Sequence, residues 1–261
     1  MIGYLKALDD NYIWTIEKDG ELIVVDPSMA EEVVSKIEKE NLKLKAILLT
    51  HKHGDHTGGV KILKEKYNPV VYGPSEVKNL CTEDEAVGDG DTIEIMGVRI
   101  EIIKSNGHTE DHVSYLVDGN LFCGDSLFSA GVGRVFTGDY KSAYETMERF
   151  RKLPDDTKVY PAHEYTVSNL EFVLSLGENK RVEEELKLVR DVVAKGGCTL
   201  PTTIRKEKEI NPFLMAKNLE EFKKLRDLKD RFYEQVGRFP EIIEDEKPYK
   251  LLCNEYPKYN G

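Results

Sequence analysis

Apolar residues in the first two thirds of the chain fall in short runs, and in the last third they fall three and four positions apart. Tyr12-Ile-Trp-Thr-Ile16 and Leu22-Ile-Val-Val25 predict two strands joined through the turn Lys18-Asp-Gly-Glu21. From Ala30 to Glu40, Val33, Val34 and Ile37 have the spacing of one helix face. Ala46-Ile-Leu-Leu49 is an unbroken apolar run, as in a strand covered on both faces. Gly59 to Lys66 predicts a further helix and Val70-Val-Tyr72 a further strand. Thr92–Met96 and Val98–Ile103 predict a hairpin about Gly97, and Val113–Val117 and Leu121–Cys123 another about Asp118-Gly-Asn120. Lys158-Val-Tyr160 reads as a last strand. Two β-rich stretches interleaved with helices predict an α/β fold of two sheets packed face to face with helices outside.

After about residue 165 the pattern becomes helical. Asn169 to Leu176, Arg181 to Lys195 and Leu219 to Tyr233 predict helices. The second carries Val182, Leu186, Val189 and Val193 on one stripe and stops at Gly196-Gly197; the third aligns Phe222, Leu225, Leu228 and Phe232. A boundary near residue 167 divides a β-rich catalytic domain, 1–166, from a small helical domain, 167–261. The segment from Pro240 to Gly261, rich in charge and Tyr, predicts no element.

Composition narrows the classes. Apolar residues make up 40% of 261, enough for a sizeable core, and charged residues 33%. The net charge of −11 argues against nucleic acid, whose phosphates need a basic face. No apolar run approaches the ~20 residues of a membrane helix, and the first ten residues lack the basic-then-apolar layout of a signal peptide. The expectation is a cytoplasmic protein with no membrane partner, and a monomer. Cys81, Cys123, Cys198 and Cys253 are far apart and form no CxxC pair, so they read as reduced packing residues.

The candidate chemistry lies in the histidines. Of six, His51, His53 and His56 fall directly after the predicted buried strand Ala46–Leu49, and strand ends are where α/β proteins assemble sites. His51 and His53, two apart on an extended loop, can point the same way at one ion; Asp55 and His56, past Gly54, can face a second. A zinc-like ion takes about four ligands, so others must come from elsewhere. Candidates in similar settings are His108 in Gly107-His108-Thr109, Asp125 in Gly124-Asp125-Ser126, and His163 in Ala162-His163-Glu164. Asp125, with two carboxylate oxygens, is the natural bridge. A lone His after a strand is more often a core residue, so His163 gains weight only from the cluster. His112 reads as a supporting residue.

Thr50-His51-Lys52-His53-Gly54-Asp55-His56 resembles the T-H-x-H-x-D-H signature of the metallo-β-lactamase superfamily. Over about residues 4 to 232 the chain is similar to the glyoxalase II, or hydroxyacylglutathione hydrolase, family. The marks are Asp10-Asn11-Tyr12, Val25-Asp26-Pro27, Gly107-His108-Thr109, Cys123–Phe128, Ala162–Thr166 and Asn211-Pro212-Phe213. The resemblance implies an αβ/βα sandwich followed by a helical, substrate-binding C-terminal domain. It also implies two divalent metal ions, zinc first with iron or manganese as alternatives. His51, His53 and His108 would hold one ion, Asp55, His56 and His163 the other, with Asp125 bridging.

The family's glutathione contacts map unevenly. Arg134 stands where relatives often have Lys, Phe136 where Tyr is usual, and Tyr165 matches. Arg226 and Lys229, in the pattern Arg-x-x-Lys-Asp-x-Phe, are expected to hold the glycine carboxylate. Gly54 replaces a bulky residue of many relatives. The implied reaction is hydrolysis of an S-(2-hydroxyacyl)glutathione thioester, typically S-D-lactoylglutathione, to glutathione and a 2-hydroxy acid such as D-lactate, the end of methylglyoxal detoxification. Two cations lower the pKa of a shared water from ~15.7 toward neutrality, with Asp125 and Asp55 as the catalytic carboxylates, Asp55 orienting the attacking hydroxide. The alternatives are a persulfide dioxygenase, with one iron and without the long helical domain, or another hydrolase of the same fold.

Overall fold

The computed structural model describes residues 1–78 and 84–236, with side chains to residue 232. In chain order the elements are β1 (Ile2–Ala7), β2 (Asn11–Lys18), β3 (Glu21–Val25), α1 (Glu31–Glu40), β4 (Lys43–Leu48), α2 (Gly54–Thr57), α3 (Val60–Tyr67), β5 (Val70–Gly73), a 3-10 turn (Ser75–Val77) and β6 (Glu85–Ala86). They continue with β7 (Thr92–Ile95), β8 (Val98–Lys104), β9 (Val113–Val117), β10 (Asn120–Gly124), α4 (Tyr140–Arg151), β11 (Lys158–Pro161), α5 (Thr166–Ser175), α6 (Lys180–Ala194), β12 (Thr202–Thr203), α7 (Ile204–Ile210) and α8 (Leu219–Val236).

The strands form two mixed sheets, in the orders β1-β2-β3-β4-β5-β6 and β12-β11-β10-β9-β8-β7. In the first, β3, β4, β5 and β6 run parallel, and in the second β10 pairs β11 in parallel. The period-two alternation of side chains assigns each strand to two cores. On β3, Ile23 and Val25 face between the sheets while Leu22 and Val24 face α1 and α3. On β4, Ala46 and Leu48 face inward and Leu44 and Ile47 outward. The inter-sheet core includes Trp14, Tyr115, Phe122 and Tyr160, the last two stacked at 4.9 Å. The outer face of the second sheet, through Leu121, Cys123 and Val159, is covered by the helical layer through Phe150 of α4, Phe172 of α5, Phe222 and Phe232 of α8, and Phe213 between α7 and α8. The result is the αβ/βα layering expected from the sequence.

Helix limits follow local chemistry. Asn41 and Asn68, both left-handed, end α1 and α3, and the side chains of Asp139 and Asn179 cap α4 and α6. Six elements escaped the sequence reading: β1, β6, β12, α2, α4 and α7. The edge strand β1 buries only Ala7, and β12 has two residues, so neither shows a period. Helix α4 does bury a helical stripe, Ala143, Thr146, Met147 and Phe150, but within a polar segment. One expected core residue is corrected: Val193 is 38% exposed, because the last turn of α6 runs off the packed surface. The strand β12 also lies past the expected boundary yet completes the second sheet.

Cys123 and Cys198 are free thiols; Cys81, Cys253 and the stretch from Pro240 onward lie outside the described residues. Among the described residues no helix is long and apolar enough to cross a membrane. Phe122 is fully buried between the sheets, so Phe122→Ala is expected to lower stability by about 3–5 kcal/mol, read from chemical denaturation.

Candidate metal centre

Four strand ends converge on one point. The chain leaves β4 through Leu49 and Thr50 to His51, β8 through Gly107 to His108, β10 at Gly124 to Asp125, and β11 through Ala162 to His163. The approach is too close for larger residues. A Cβ at Gly124, whose φ is +50°, would stand 2.3 Å from Thr50 Oγ1, and one at Gly107 would stand 2.5 Å from Ala143 Cβ.

The ligand-type side chains fall into groups. His51, His53 and His108 form one: His53 Nδ1 lies 3.0 Å from His51 Nε2 and 3.0 Å from His108 Nε2. Asp55, His56 and His163 form another, with Asp55 Oδ2 3.6 Å from His56 Nε2 and 3.4 Å from His163 Nε2. Asp125 touches both. Its Oδ1 lies 3.5 Å from His56 Nε2 and 3.3 Å from His163 Nε2, and its Oδ2 lies 3.3 Å from His108 Nε2. Two buried atoms here, His56 Nε2 and Asp125 Oδ1, have no hydrogen-bond partner among the described residues. Buried polar atoms are rarely left so. Facing lone pairs of this kind fit a cation between them, and a mixed imidazole and carboxylate set suits zinc, iron or manganese.

The other nitrogen of four imidazoles is already committed, which turns Nε2 inward. His51 Nδ1 meets Thr50 Oγ1 at 3.0 Å, His56 Nδ1 meets Asp26 Oδ2 at 3.0 Å, His108 Nδ1 meets the Arg134 carbonyl at 2.8 Å and His163 Nδ1 meets Asp10 Oδ1 at 2.6 Å. Asp26 also accepts from the Thr50 amide and hydroxyl, and Asn11 donates to the Asp55 carbonyl. Asp10, Asn11 and Asp26 carried no assigned role in the sequence; an acid directly after a buried strand, as at Val25-Asp26, was the available signal. His112 belongs to neither three-residue group. It stacks on His51 at 4.8 Å, and its Nε2 accepts from the Asp125 amide at 3.3 Å.

Charge is strongly redistributed. Burial raises the Asp125 carboxyl, yet His163 and His56 outweigh it and hold the group well below the usual carboxylate range. Burial lowers His51, His53 and His108. For His163 burial is outweighed by Asp125 and Asp10, which push it up to about 10, and His56 is raised in the same way by Asp125 and Asp26.

The expected substrate residues divide. Phe136, 63% exposed, stands edge-on to His53 and His108, with the Arg134 guanidinium over its ring at 5.9 Å. Tyr165 stacks on His163 at 4.7 Å. Arg226 and Lys229 are both almost fully buried. Arg226 donates to the Val132 carbonyl and to Asp230, and Lys229 donates to the Ser168 carbonyl beneath Phe172. Burial, then the neighbouring Arg226, pulls the Lys229 amine well below the usual lysine range. The pattern Arg-x-x-Lys-Asp-x-Phe is amphipathic, and packing against α5, Phe213 and the loop at Val132 took the basic positions inside. Asp230 Oδ1 accepts from both Arg226 and, at 3.2 Å, Arg134 Nε.

A family model described as the metallo-β-lactamase superfamily matches residues 8–163, and one described as the hydroxyacylglutathione hydrolase C-terminus matches residues 164–232. The chain is 45% identical over 234 residues to the hydroxyacylglutathione hydrolase of Haemophilus ducreyi, covering 88% of this chain and 99% of that one. The chain belongs to the hydroxyacylglutathione hydrolase family of the metallo-β-lactamase superfamily. The enzyme of the same name from Actinobacillus pleuropneumoniae serotype 5b is 44% identical over 87% of this chain and 97% of its own. A third model, D-lyxose isomerase, matches residues 224–256, which lie largely outside the described residues, and carries no argument.

Solved structures bear on the fold alone. ETHE1 from Myxococcus xanthus superposes with a TM-score of 0.66 at 24% identity, covering 87% of this chain and 90% of that one. The di-iron-bound form of TTHA1623 gives 0.59 at 22% identity, covering 82% and 99%.

A ligating imidazole must be neutral. With its pKa at about 10, His163 is protonated at pH 7 in protein stripped of metal. Cation uptake at pH 7 is therefore expected to release a proton, and the release fades as pH rises past about 10. Calorimetry in buffers of different ionisation enthalpy reads this directly; heats independent of buffer at pH 7 would contradict it.

Proposed function

We propose that this protein hydrolyses the thioester of S-(2-hydroxyacyl)glutathione, S-D-lactoylglutathione being the probe substrate, to glutathione and a 2-hydroxy acid. The observation that carries the reading is Asp125, whose two oxygens face different ligand groups within a chain similar over nearly its whole described length to hydroxyacylglutathione hydrolases. The match of residues 164–232 to the C-terminal region of those enzymes favours this over a persulfide dioxygenase.

His51, His53 and His108 are proposed to hold one divalent cation and Asp55, His56 and His163 the other, with Asp125 between them. Zinc is the proposed ion, with iron or manganese compatible with the same donors. When bound, two such cations supply a water of lowered pKa and a Lewis acid for the thioester carbonyl. The chain's own groups do the rest. Asp55, its side chain 41% exposed, accepts a hydrogen bond from the attacking water and aims it at the carbonyl carbon. The carbon–sulfur bond then breaks. The thiol has a pKa of about 8.5, so the thiolate departs without a dedicated acid.

The substrate's anionic tripeptide is proposed to lie against Arg134, Phe136 and Tyr165 at the mouth. Arg134 is the exposed cation of this set, and Asp230 holds it in place. Arg226 and Lys229 act from beneath, Arg226 by fixing Asp230. The net charge of −11 makes a nucleic acid an unfavourable partner. A helical substrate-binding region from residue 167, a monomeric state and a cytoplasmic setting complete the reading.

Hydrolysis of S-D-lactoylglutathione by the purified protein, with metal analysis on the same sample, tests the proposal. Asp125→Ala is expected to abolish turnover and lower metal content; full activity with two ions retained would refute the bridge. Arg134→Ala is expected to raise KM roughly tenfold for the glutathione thioester, the loss of one charge-assisted contact, and much less for a thioester lacking the tripeptide. Equal effects on both substrates would remove Arg134 from the binding set.

A further inference from the structure

Glu76 lies outside the ligand groups, on the 3-10 turn Ser75–Val77 that follows β5. Its side chain is 7% exposed. Oε1 accepts from the Thr109 hydroxyl at 2.6 Å and from the Lys52 amide at 3.3 Å. Oε2 accepts from the Asp111 amide at 3.3 Å, and the Lys52 ammonium stands 3.6 Å from it. Lys52 sits between His51 and His53, and Thr109 directly follows His108. One carboxylate is thus tied to both chain segments that supply the group His51, His53 and His108.

These segments leave different sheets, β4 in one and β8 in the other, so their spacing is not set by a shared strand ladder. A further tie between them runs from Lys52 Nζ to Glu110 Oε2 at 2.7 Å, but those side chains are 36% and 70% exposed. An ion pair that open to solvent contributes little. The covered, charge-assisted contacts of Glu76 are the stronger constraint. The neighbouring Ser75 hydroxyl donates to the Asp111 carboxylate, which anchors the same turn to the His108 segment a second time.

We propose that Glu76 is a positioning residue: it fixes the separation of the two segments bearing His51, His53 and His108, and so sets that group's affinity for its cation without touching it. The proposal rests on the reading of these three imidazoles as a metal site. Holding ligands from two directions in one geometry is what such supporting groups do for metal affinity.

The test uses the purified, metal-loaded enzyme. Samples are equilibrated with graded chelator and the retained metal is counted. In Glu76→Gln, one of two ions is expected to leave at roughly 10–100-fold lower chelator concentration, the other at the wild-type concentration. Thr109→Val, which deletes a single hydroxyl, is expected to shift the same ion in the same direction by less, and it serves if Glu76→Gln does not fold. Glu110→Ala, cutting only the exposed pair, is expected to leave both ions unmoved. If the wild type holds two ions and the Glu76 and Thr109 variants shift both together, or neither, the proposal is overturned. A wild type that does not hold two ions overturns the metal reading instead.

Discussion

A buried carboxylate surrounded by imidazoles is the constraint on which this structure turns. Asp125 is removed from water and would be raised toward neutrality by burial alone, but His163 and His56 hold it ionised. An isolated buried charge costs far more than a protein's net stability can absorb. The partners must therefore be present together and at the right distance. They come from strand ends in both sheets, so the charge is compensated only when the sandwich has closed.

The requirement reaches outward in layers. Four of the five ligand-type imidazoles are turned by an oxygen on the other nitrogen: Thr50 for His51, Asp26 for His56, Asp10 for His163 and the Arg134 carbonyl for His108. Those oxygens are held in turn, Asp26 through the Thr50 amide and hydroxyl. The Asp125 amide is held by His112, which burial keeps neutral so that its Nε2 can accept. Glycine is needed where backbones come closest, as at Gly124 against Thr50. Rigid sheets on two sides thus carry loops whose ligand atoms are aimed by hydrogen bonds rather than by chain stiffness.

The helical region also braces the site from behind. Glu207, fully buried on α7, accepts from the Ala130 amide and the Ser129 and Thr202 hydroxyls, while Asn211 donates to it and to the Phe128 and Gly131 carbonyls. These contacts hold the loop that runs from Asp125 toward Arg134 and Phe136. Arg226, reaching from α8 to the Val132 carbonyl and Asp230, braces the same loop. Asp230 on α8 joins this bracing to the exposed Arg134, since it accepts from both guanidinium groups.

The sequence by itself determined the strands and helices whose apolar period is strong, the two-sheet layering, and the identity of the ligand-type residues, because strand, turn and His-rich loop are local patterns. It named His51, His53, Asp55, His56, His108, Asp125 and His163 from residue type and setting. Only the tertiary structure decided which atoms meet, since residues far apart in the chain come together only through sheet closure. It put Asp125 between the two ligand groups, set Asp10 and Asp26 against the imidazoles, and buried Arg226 and Lys229. A basic residue on an amphipathic helix looks the same in sequence whether its head meets solvent or a buried carbonyl. Packing against α5 and the loop at Val132 made that choice.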